Sequence, residues 1–170
     1  GGAWGNYLYV GDEGTHGFFR IPPDATPVSV FSVSRSFTKP EGMEFDATAG
    51  LYGGRLVVGD STGVFAIASN GTATAINASI SGITGAAAID RSGLFRNHFY
   101  LGSNQTDNIT ELNPDGTNST FQSGLLGFEA LTFGPGNAFG TDMYAADPNL
   151  STVLASINGT GAVFRIQPNG

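Results

Sequence analysis

The sequence predicts an all-β protein, a β-propeller of four-stranded antiparallel blades with about three and a half blades in the chain. Three observations support this prediction: an internal repeat of roughly 45 residues, four short β-prone segments in each repeat, and turn-forming residues between those segments. No stretch shows a sustained 3.6-residue period, so we expect no long helix. A β-sandwich also has short, evenly spaced strands, but it would not explain repeated phrases.

Two successive strands are the clearest repeated phrases of each unit, and a family resemblance given below implies that they are the second and third strands of a blade. Aromatic and β-branched residues alternate in them and end on Gly, Asp or Ser, as is typical of short strands followed by turns. The second strands are predicted at residues 7–12, 55–60, 98–103 and 142–147. The third strands are predicted at residues 17–21, 63–67, 108–112 and 162–166.

A turn and two further strands complete the repeat, and the same resemblance implies that these are the outer strand of one blade and the innermost strand of the next. Turns are predicted at residues 23–24, 70–71, 115–116 and 169–170, and outer strands at 27–31, 72–76 and 119–122. Innermost strands are predicted at 40–45, 84–88 and 128–133, although the run of alanines at 86–88 would favour a helix in isolation. We therefore expect one domain, 1–170, with repeat units of approximately 1–46, 47–90, 91–134 and 135–170.

Composition excludes several classes of protein. The net charge of −7 and the single lysine argue against nucleic-acid binding, which requires a basic patch. No apolar run approaches the ~20 residues of a membrane span, so we expect no membrane insertion. The absence of cysteine excludes disulfides, thiol catalysis and cysteine-ligated zinc.

The phrases at residues 40–67 ("PEGMEFDATAGLYGGRLVVGDSTGVFAI") and 128–170 resemble the NHL and SMP-30/gluconolactonase-like β-propeller repeats. The resemblance covers nearly the whole chain. It implies that residues 128–133 form an innermost strand, that the chain opens on a second strand and that it closes on a third. The superfamily includes calcium-dependent lactonases, phosphotriesterases and non-catalytic binding propellers, so the resemblance predicts the fold and leaves the activity open.

Propellers of this superfamily usually have six blades, and a closed ring needs at least four. Three arrangements would complete the ring or cover its edges. The chain could be part of a longer polypeptide, which we favour; it could close a ring with a second copy of itself; or it could form an open arc that stacks into an assembly. Because an uncovered edge strand invites aggregation, we expect a partner at the edges.

Seven acceptor motifs for N-glycosylation are the strongest functional signal. With 12 Asn and 30 Ser or Thr in the chain, chance predicts about two such motifs. A purely structural interpretation is that Asn, Gly and Thr simply populate turns. We predict covalent N-glycans at several of these sites, and hence a secreted or cell-surface protein. The acceptors are Asn70, Asn77, Asn104, Asn108, Asn118, Asn149 and Asn158.

Glu41, Thr84 and Glu129 occupy equivalent positions at the start of three innermost strands, where a propeller faces its central channel. The resemblance implies that channel acids bind calcium, which takes six to eight oxygen ligands. Glu41 and Glu129 are therefore candidate metal ligands, with Glu44 behind them. Thr84 departs from the acidic pattern, and we favour the simpler interpretation that the repeated Glu accepts backbone hydrogen bonds.

Other chemically capable residues have structural interpretations. The acids that end the second strands are expected to cap turns, and the two histidines to lie in a loop or at the surface, since no partner or nucleophile motif is visible. An aromatic cluster near the start is expected to pack between blades, with a sugar or subunit contact patch at Trp4, Tyr7 and Tyr9 as the alternative. The remaining residues of these groups are Asp12, Asp60, Asp147, His16, His98, Phe18 and Phe19.

Two main functional hypotheses follow. The first is a non-enzymatic, extracellular, N-glycosylated propeller that serves as a structural or binding module, for example a subunit or repeat of a surface layer, sheath or filament. The second is a calcium-dependent hydrolase of the lactonase or phosphotriesterase type, resting on Glu41 and Glu129. A carbohydrate-binding propeller is a third. No catalytic residue is predicted, and the expected partners are the protein itself or its further segments, together with glycans.

Overall fold

A computed structural model describes residues 2–46, 50–82, 85–103, 105–125, 129–147 and 162–168. In these ranges the chain forms fourteen β-strands in four antiparallel sheets. Helical structure in the same ranges consists of two single-turn 3₁₀ segments, Gly2–Trp4 and Asn137–Phe139. None of the helices described has the length and apolarity required to cross a membrane. The all-β fold predicted from the repeats is confirmed.

The four sheets are the blades of a partial β-propeller, and we number them in chain order. The first blade consists of β1 (Leu8–Asp12), β2 (Gly17–Ile21) and β3 (Ser29–Val30). The second blade consists of β4 (Met43–Phe45), β5 (Leu56–Asp60), β6 (Gly63–Ile67) and β7 (Ala73–Asn77). The third blade consists of β8 (Ala87–Ile89), β9 (Phe99–Ser103), β10 (Asn108–Leu112) and β11 (Asn118–Ser123). The fourth blade consists of β12 (Ala130–Phe133), β13 (Met143–Asp147) and β14 (Ala162–Ile166).

The innermost strands lie side by side, as the predicted strand order requires. β4 contacts β8, and β8 contacts β12. The approach is close: a Cβ atom on Gly42, just before β4, would lie 2.6 Å from the Cβ of Ala87. The alanine run that includes Ala87 is a strand, because its place between two neighbouring strands overrides its helical propensity.

The hydrophobic core lies between the blades, with one cluster at each junction. The cluster between the first and second blades includes Phe18, Phe37, Leu56, Val58 and Phe65. The cluster between the second and third blades includes Tyr52, Val57, Val64, Phe99 and Leu101. The cluster between the third and fourth blades includes Phe95, Tyr100, Ile109, Leu131 and Met143. Each blade is thus stabilised by apolar area that it buries against its neighbours.

The outer turns of two blades dock on the preceding blade through glycine. Gly71 and Gly116 have φ of 85° and 87°, a left-handed conformation that disfavours side chains. A Cβ atom would lie 2.0 Å from the Ser32 carbonyl oxygen at Gly71 and 2.5 Å from the Ile76 carbonyl oxygen at Gly116. Both the backbone conformation and the contact between blades therefore require glycine at these turns.

Candidate functional site

A recess of about 240 Å³ brings together several of the predicted glycosylation motifs. Asn108 at the start of β10 and Asn118 at the start of β11 both line it, and Asn118 is exposed. Thr110, the hydroxyl residue of the Asn108 motif, and Ser79, that of the Asn77 motif, line the same recess. We call this surface the sequon recess; it lies where the end of the second blade meets the third.

Asn77, at the end of β7, is more constrained than its neighbours at the sequon recess. Its side-chain oxygen accepts hydrogen bonds from the backbone N–H groups of Ser79 at 2.7 Å and Ile80 at 3.1 Å. Its Nδ2 donates to the Gly116 carbonyl oxygen in the third blade at 2.8 Å. The nitrogen that would carry a glycan therefore already joins two blades, which makes Asn77 a less accessible acceptor than Asn118.

Asn70 lies apart from the sequon recess, in the exposed turn between β6 and β7. Its side-chain oxygen accepts a hydrogen bond from the Thr72 N–H at 3.0 Å, a local contact that orders the turn and leaves the amide nitrogen at the surface. The remaining predicted acceptors, Asn104, Asn149 and Asn158, lie outside the described residues. Glycosylation at all seven sites stays a prediction.

Glu41 lies just before β4 and is held by neighbouring groups. The Lys39 ammonium is 3.8 Å from its Oε1 and also contacts Glu13 at 2.5 Å. Burial raises the pKa of Glu41, while the Lys39 charge and a hydrogen bond from the Gly85 N–H oppose the rise. The Gly85 contact crosses from the second blade to the third, which supports a structural role. The buried Oε2 of Glu41 nevertheless has no hydrogen-bond partner in the described chain.

Glu129 is exposed at the start of β12, where its N–H donates to the Ala146 carbonyl oxygen at 3.0 Å. Its own carbonyl oxygen lies beside Gly85, so the starts of the three innermost strands are neighbours. Thr84 lies outside the described residues. In the part of the chain that the structure describes, no three His, Asp or Glu side chains come together as a metal site. Calcium binding by Glu41 and Glu129 therefore stays a prediction, without a ligand set that fits it.

Glu44 is oriented toward Arg91 and forms an ion pair with it. This pair lies in an open cavity of about 390 Å³ at the far ends of the innermost strands β4, β8 and β12. Thr132 and Thr141 add hydroxyl groups to its lining. The described residues that line the cavity supply one ion pair and the hydroxyls of Ser92, Thr132 and Thr141, and the Ser92 hydroxyl donates a hydrogen bond to Asp90 at 2.6 Å.

Two of the acids that end second strands cap turns, as predicted. Asp12 accepts hydrogen bonds from the Gly14 N–H at 3.0 Å and the Thr15 hydroxyl at 2.6 Å. Asp60 accepts from the N–H groups of Thr38 at 2.9 Å and Lys39 at 2.6 Å, and from the Thr62 hydroxyl at 2.5 Å. Asp60 thereby fixes the approach to the β4 strand. The Asp147 side chain lies outside the described atoms.

The two histidines have different environments. His16 lies in an exposed loop, with Nδ1 2.5 Å from the Thr38 carbonyl oxygen. His98, expected at the surface, is half-buried, with Nδ1 2.9 Å from Glu111 Oε1. The Tyr100 hydroxyl lies 3.0 Å from the same oxygen and 2.9 Å from the Phe95 carbonyl oxygen, so its single proton is shared between two acceptors, and burial together with the carboxylate raises the pKa of Tyr100. His98 thus has the partner that the sequence did not reveal, in an arrangement that links β9 to β10.

The aromatic residues near the start pack mainly between blades, which was the favoured interpretation. Trp4 makes edge contacts with Tyr9 at 5.1 Å and with Phe45 of the second blade at 5.0 Å. Tyr7 is partly exposed, and the Arg20 guanidinium lies 5.2 Å from its ring centroid. Of the three residues predicted as a contact patch, only Tyr7 presents much of its ring to solvent.

A further repeated pattern, a tyrosine five residues after an aromatic residue, was not predicted from the sequence. In three blades a second-strand tyrosine donates its hydroxyl hydrogen bond to the carbonyl oxygen of an aromatic residue five positions earlier. The pairs are Tyr9 with Trp4, Tyr100 with Phe95, and Tyr144 with Phe139. In the second blade Val57 replaces the tyrosine, and the aromatic residue five positions earlier is Tyr52. An aromatic-x₄-Tyr spacing was visible in the sequence and would have revealed these pairs.

The comparisons with known proteins show the fold. No family model matches the chain, and no curated protein does. Among solved structures, a chain of a nidogen/laminin complex superposes with a TM-score of 0.64 at 19% identity, over 85% of this chain and 52% of that one. Virginiamycin B lyase from Staphylococcus aureus superposes with a TM-score of 0.60 at 13% identity, over 96% and 53%.

Two further solved structures, from proteins of different kinds, also superpose on the chain. A candidate gluconolactonase superposes with a TM-score of 0.52 at 20% identity, over 76% of this chain and 41% of that one. The extracellular domain of a hybrid two-component system protein from Bacteroides thetaiotaomicron superposes with a TM-score of 0.56 at 16% identity, over 84% and 18%. These neighbours are consistent with the predicted NHL/SMP-30-like propeller fold. The chain spans about half the length of the nidogen/laminin and lyase chains.

Proposed function

We propose that the chain is an N-glycosylated, extracellular β-propeller module with a structural or binding role and no enzymatic activity. Such a module would serve, for example, as a subunit or repeat of a surface layer, sheath or filament. It would associate with further copies or further segments of the same protein. The established part of this description is the β-propeller fold.

The observation that supports this proposal is the sequon recess. The Asn108 and Asn118 motifs and the hydroxyl residue of the Asn77 motif meet at one recess between the second and third blades. Glycans there would cover the surface where the second and third blades meet. A match to an extracellular domain is compatible with this location, although it is evidence of fold alone.

Intact-mass analysis of the secreted chain, before and after enzymatic removal of N-glycans, tests the proposal. We expect a mass above that of the bare polypeptide, which falls on deglycosylation. Thr120→Ala should abolish the Asn118 glycan, because the acceptor motif requires a hydroxyl two residues after Asn, whereas Thr120→Ser should retain it. Asn6→Gln, at an exposed asparagine outside any motif, is the matched control. A chain of unmodified mass would overturn the proposal.

A further inference from the structure

A cavity of about 360 Å³ lies where the end of β4 in the second blade meets the start of β1 in the first. Its volume is within the range of about 300–1,000 Å³ that is typical of small-molecule sites. Four aromatic rings, one carboxylate and one guanidinium line it: Trp4, Tyr7, Tyr9, Phe45, Asp46 and Arg91. We call this cavity the aromatic pocket.

The polar ends of two rings in the aromatic pocket already have partners within the chain. The indole N–H of Trp4 donates a hydrogen bond to the Gly54 carbonyl oxygen of the second blade at 3.2 Å. The Tyr9 hydroxyl donates to the Trp4 carbonyl oxygen at 2.9 Å. The Tyr7 ring lies 6.3 Å from the Tyr9 ring and is 41% exposed. These rings are therefore held in place and offer a ligand mainly apolar area.

Asp46 supplies the aromatic pocket with a hydrogen-bond acceptor. Its Oδ2 accepts hydrogen bonds from the N–H groups of Tyr52 at 2.7 Å and Gly54 at 2.9 Å, which fix the orientation of the carboxylate. Asp46 is only 3% exposed, and its buried Oδ1 has no hydrogen-bond partner in the described ranges, which omit residues 47–49. Because an unpaired buried acceptor costs free energy, a ligand that donates a hydrogen bond to Oδ1 would be favoured.

This combination of groups discriminates between classes of ligand. A pyranose sugar has C–H groups on the faces of its ring that pack on aromatic side chains, and hydroxyls at its edge that donate to a carboxylate oxygen. A quaternary ammonium ion is also attracted to aromatic rings, but it has no hydrogen to donate to Asp46, and the Arg91 guanidinium opposes a cation. The buried carboxylate of Asp46 opposes an anion in the same way. A neutral, hydroxyl-bearing ring satisfies all these groups.

We propose that the aromatic pocket binds a neutral pyranose sugar, which packs on the aromatic rings and donates a hydroxyl hydrogen bond to Asp46 Oδ1. The inference gives a ligand class to the binding role in the proposed function and rests on that role. The sequence suggested a sugar contact at Trp4, Tyr7 and Tyr9 as an alternative to packing. The structure places the acceptor, a fourth ring and a guanidinium beside them, from the second and third blades.

Trp4 is the only tryptophan in the sequence, so its indole N–H gives a specific signal from the aromatic pocket in proton–nitrogen correlation NMR spectra. The full chain is titrated separately with the methyl glycosides of glucose, mannose, galactose and N-acetylglucosamine, and with tetramethylammonium chloride. We expect a saturable shift of the Trp4 signal with at least one glycoside and none with the cation. The titrations are repeated after enzymatic removal of N-glycans. A shift that appears only then would show that a glycan of the protein itself occupies the pocket, which also supports a pyranose site.

Variants of two lining residues locate the binding. Tyr7→Ala should weaken glycoside binding by at least about tenfold, because it removes a packing surface, whereas Tyr7→Phe should retain it. Asp46→Asn should also weaken binding by at least about tenfold, because an amide has one acceptor oxygen for both the backbone groups and the sugar. Phe139→Ala is the matched control, since Phe139 is also an exposed aromatic residue but does not line the pocket.

Absence of a saturable shift with all four glycosides, before and after removal of N-glycans, would overturn the inference. So would full affinity in either Tyr7→Ala or Asp46→Asn, because both contacts belong to the site. Saturation by tetramethylammonium in place of a glycoside would overturn the ligand class. If Asp46→Asn does not fold, the two Tyr7 variants decide, since Tyr7 is largely exposed. The readout is the Trp4 signal and not glycan mass, so failure here is distinguishable from failure of the proposed glycosylation.

Discussion

The Tyr52 hydroxyl in the second blade lies 2.5 Å from the Leu112 carbonyl oxygen in the third blade and donates a hydrogen bond to it. The same hydroxyl accepts a hydrogen bond from the Phe99 N–H at 2.9 Å. One buried side chain therefore satisfies two backbone groups of the neighbouring blade, and its burial raises the pKa of Tyr52.

Removal of this hydroxyl should weaken the junction. Tyr52→Phe leaves a buried N–H and a buried carbonyl without their partner, and we expect a loss of about 2 kcal/mol in the free energy of unfolding. Tyr144→Phe removes a single, exposed hydrogen bond and should cost less. Denaturant unfolding of both variants and the wild type measures the difference. Equal losses of unfolding free energy in the two variants would show that the Tyr52 hydrogen bonds between blades stabilise the chain no more than the single exposed hydrogen bond of Tyr144.

The close approach of Gly116 to the second blade predicts a difference in stability between two glycine-to-alanine variants. Gly116 and Gly136 have φ of 87° and 93°, so alanine is strained to a similar degree at both. A Cβ atom would clash with the Ile76 carbonyl oxygen at Gly116, whereas it meets open space at Gly136. We expect Gly116→Ala to destabilise the chain by about 1–3 kcal/mol more than Gly136→Ala, from overpacking. Thermal unfolding of the two variants tests this, and indistinguishable midpoints would contradict it.

The lowered pKa of Asp90 predicts how the stability of the folded chain depends on pH. Burial alone would raise the pKa of Asp90, but hydrogen bonds from Ser92, Asn97 and Phe95 outweigh burial and lower it. Since the pKa is lower in the folded chain than in the unfolded chain, Asp90 contributes stability above pH ~4 that is lost as the pH falls through the folded value.

Wild-type chain should therefore unfold at progressively lower temperature below pH ~4. Asp90→Asn should be less stable at neutral pH, by about 1–3 kcal/mol, because the amide cannot accept all these hydrogen bonds. Its midpoint should also change less with acidification. Asp24→Asn, at an exposed turn, is the control. A parallel pH profile for Asp90→Asn and wild type would contradict the assignment.

Substitutions of Glu41 distinguish a structural role of this side chain from calcium binding. If its main role is to accept the Gly85 hydrogen bond, Glu41→Gln should retain most stability, because the amide oxygen still accepts, and Glu41→Ala should lose more. Calorimetric titration with Ca²⁺ should then give no saturable heat with the wild type. Saturable binding that disappears in both Glu41→Gln and Glu129→Gln would instead support the metal site.

The strand order was predictable because it depends on local signals that recur in every repeat. Alternating apolar residues and the turn acids Asp12 and Asp60 fix the hairpins, and neighbouring copies confirm one another. Even the alanine run around Ala87 was predicted to be a strand, since its position in the repeat outweighed its propensity.

Contacts that depend on register or on two blades were not predictable in this way. His98 and Glu111 meet because β9 and β10 pair with Tyr100 opposite Glu111, a register that composition does not specify. Asn77 looked like an ordinary acceptor motif, but its amide nitrogen binds the Gly116 carbonyl oxygen of the next blade. Such contacts can be identified only when the positions of paired strands and neighbouring blades in space are known.

The placement of the apolar clusters at the junctions has a consequence for how the chain unfolds. Each cluster is shared by two blades, so opening one blade exposes apolar side chains of its neighbour to water. Stability then behaves as a sum of nearest-neighbour coupling energies, so a blade with two such junctions is held more firmly than a blade with one. Amide hydrogen exchange should accordingly be slowest in β5, β6, β9 and β10, which have a blade on either side.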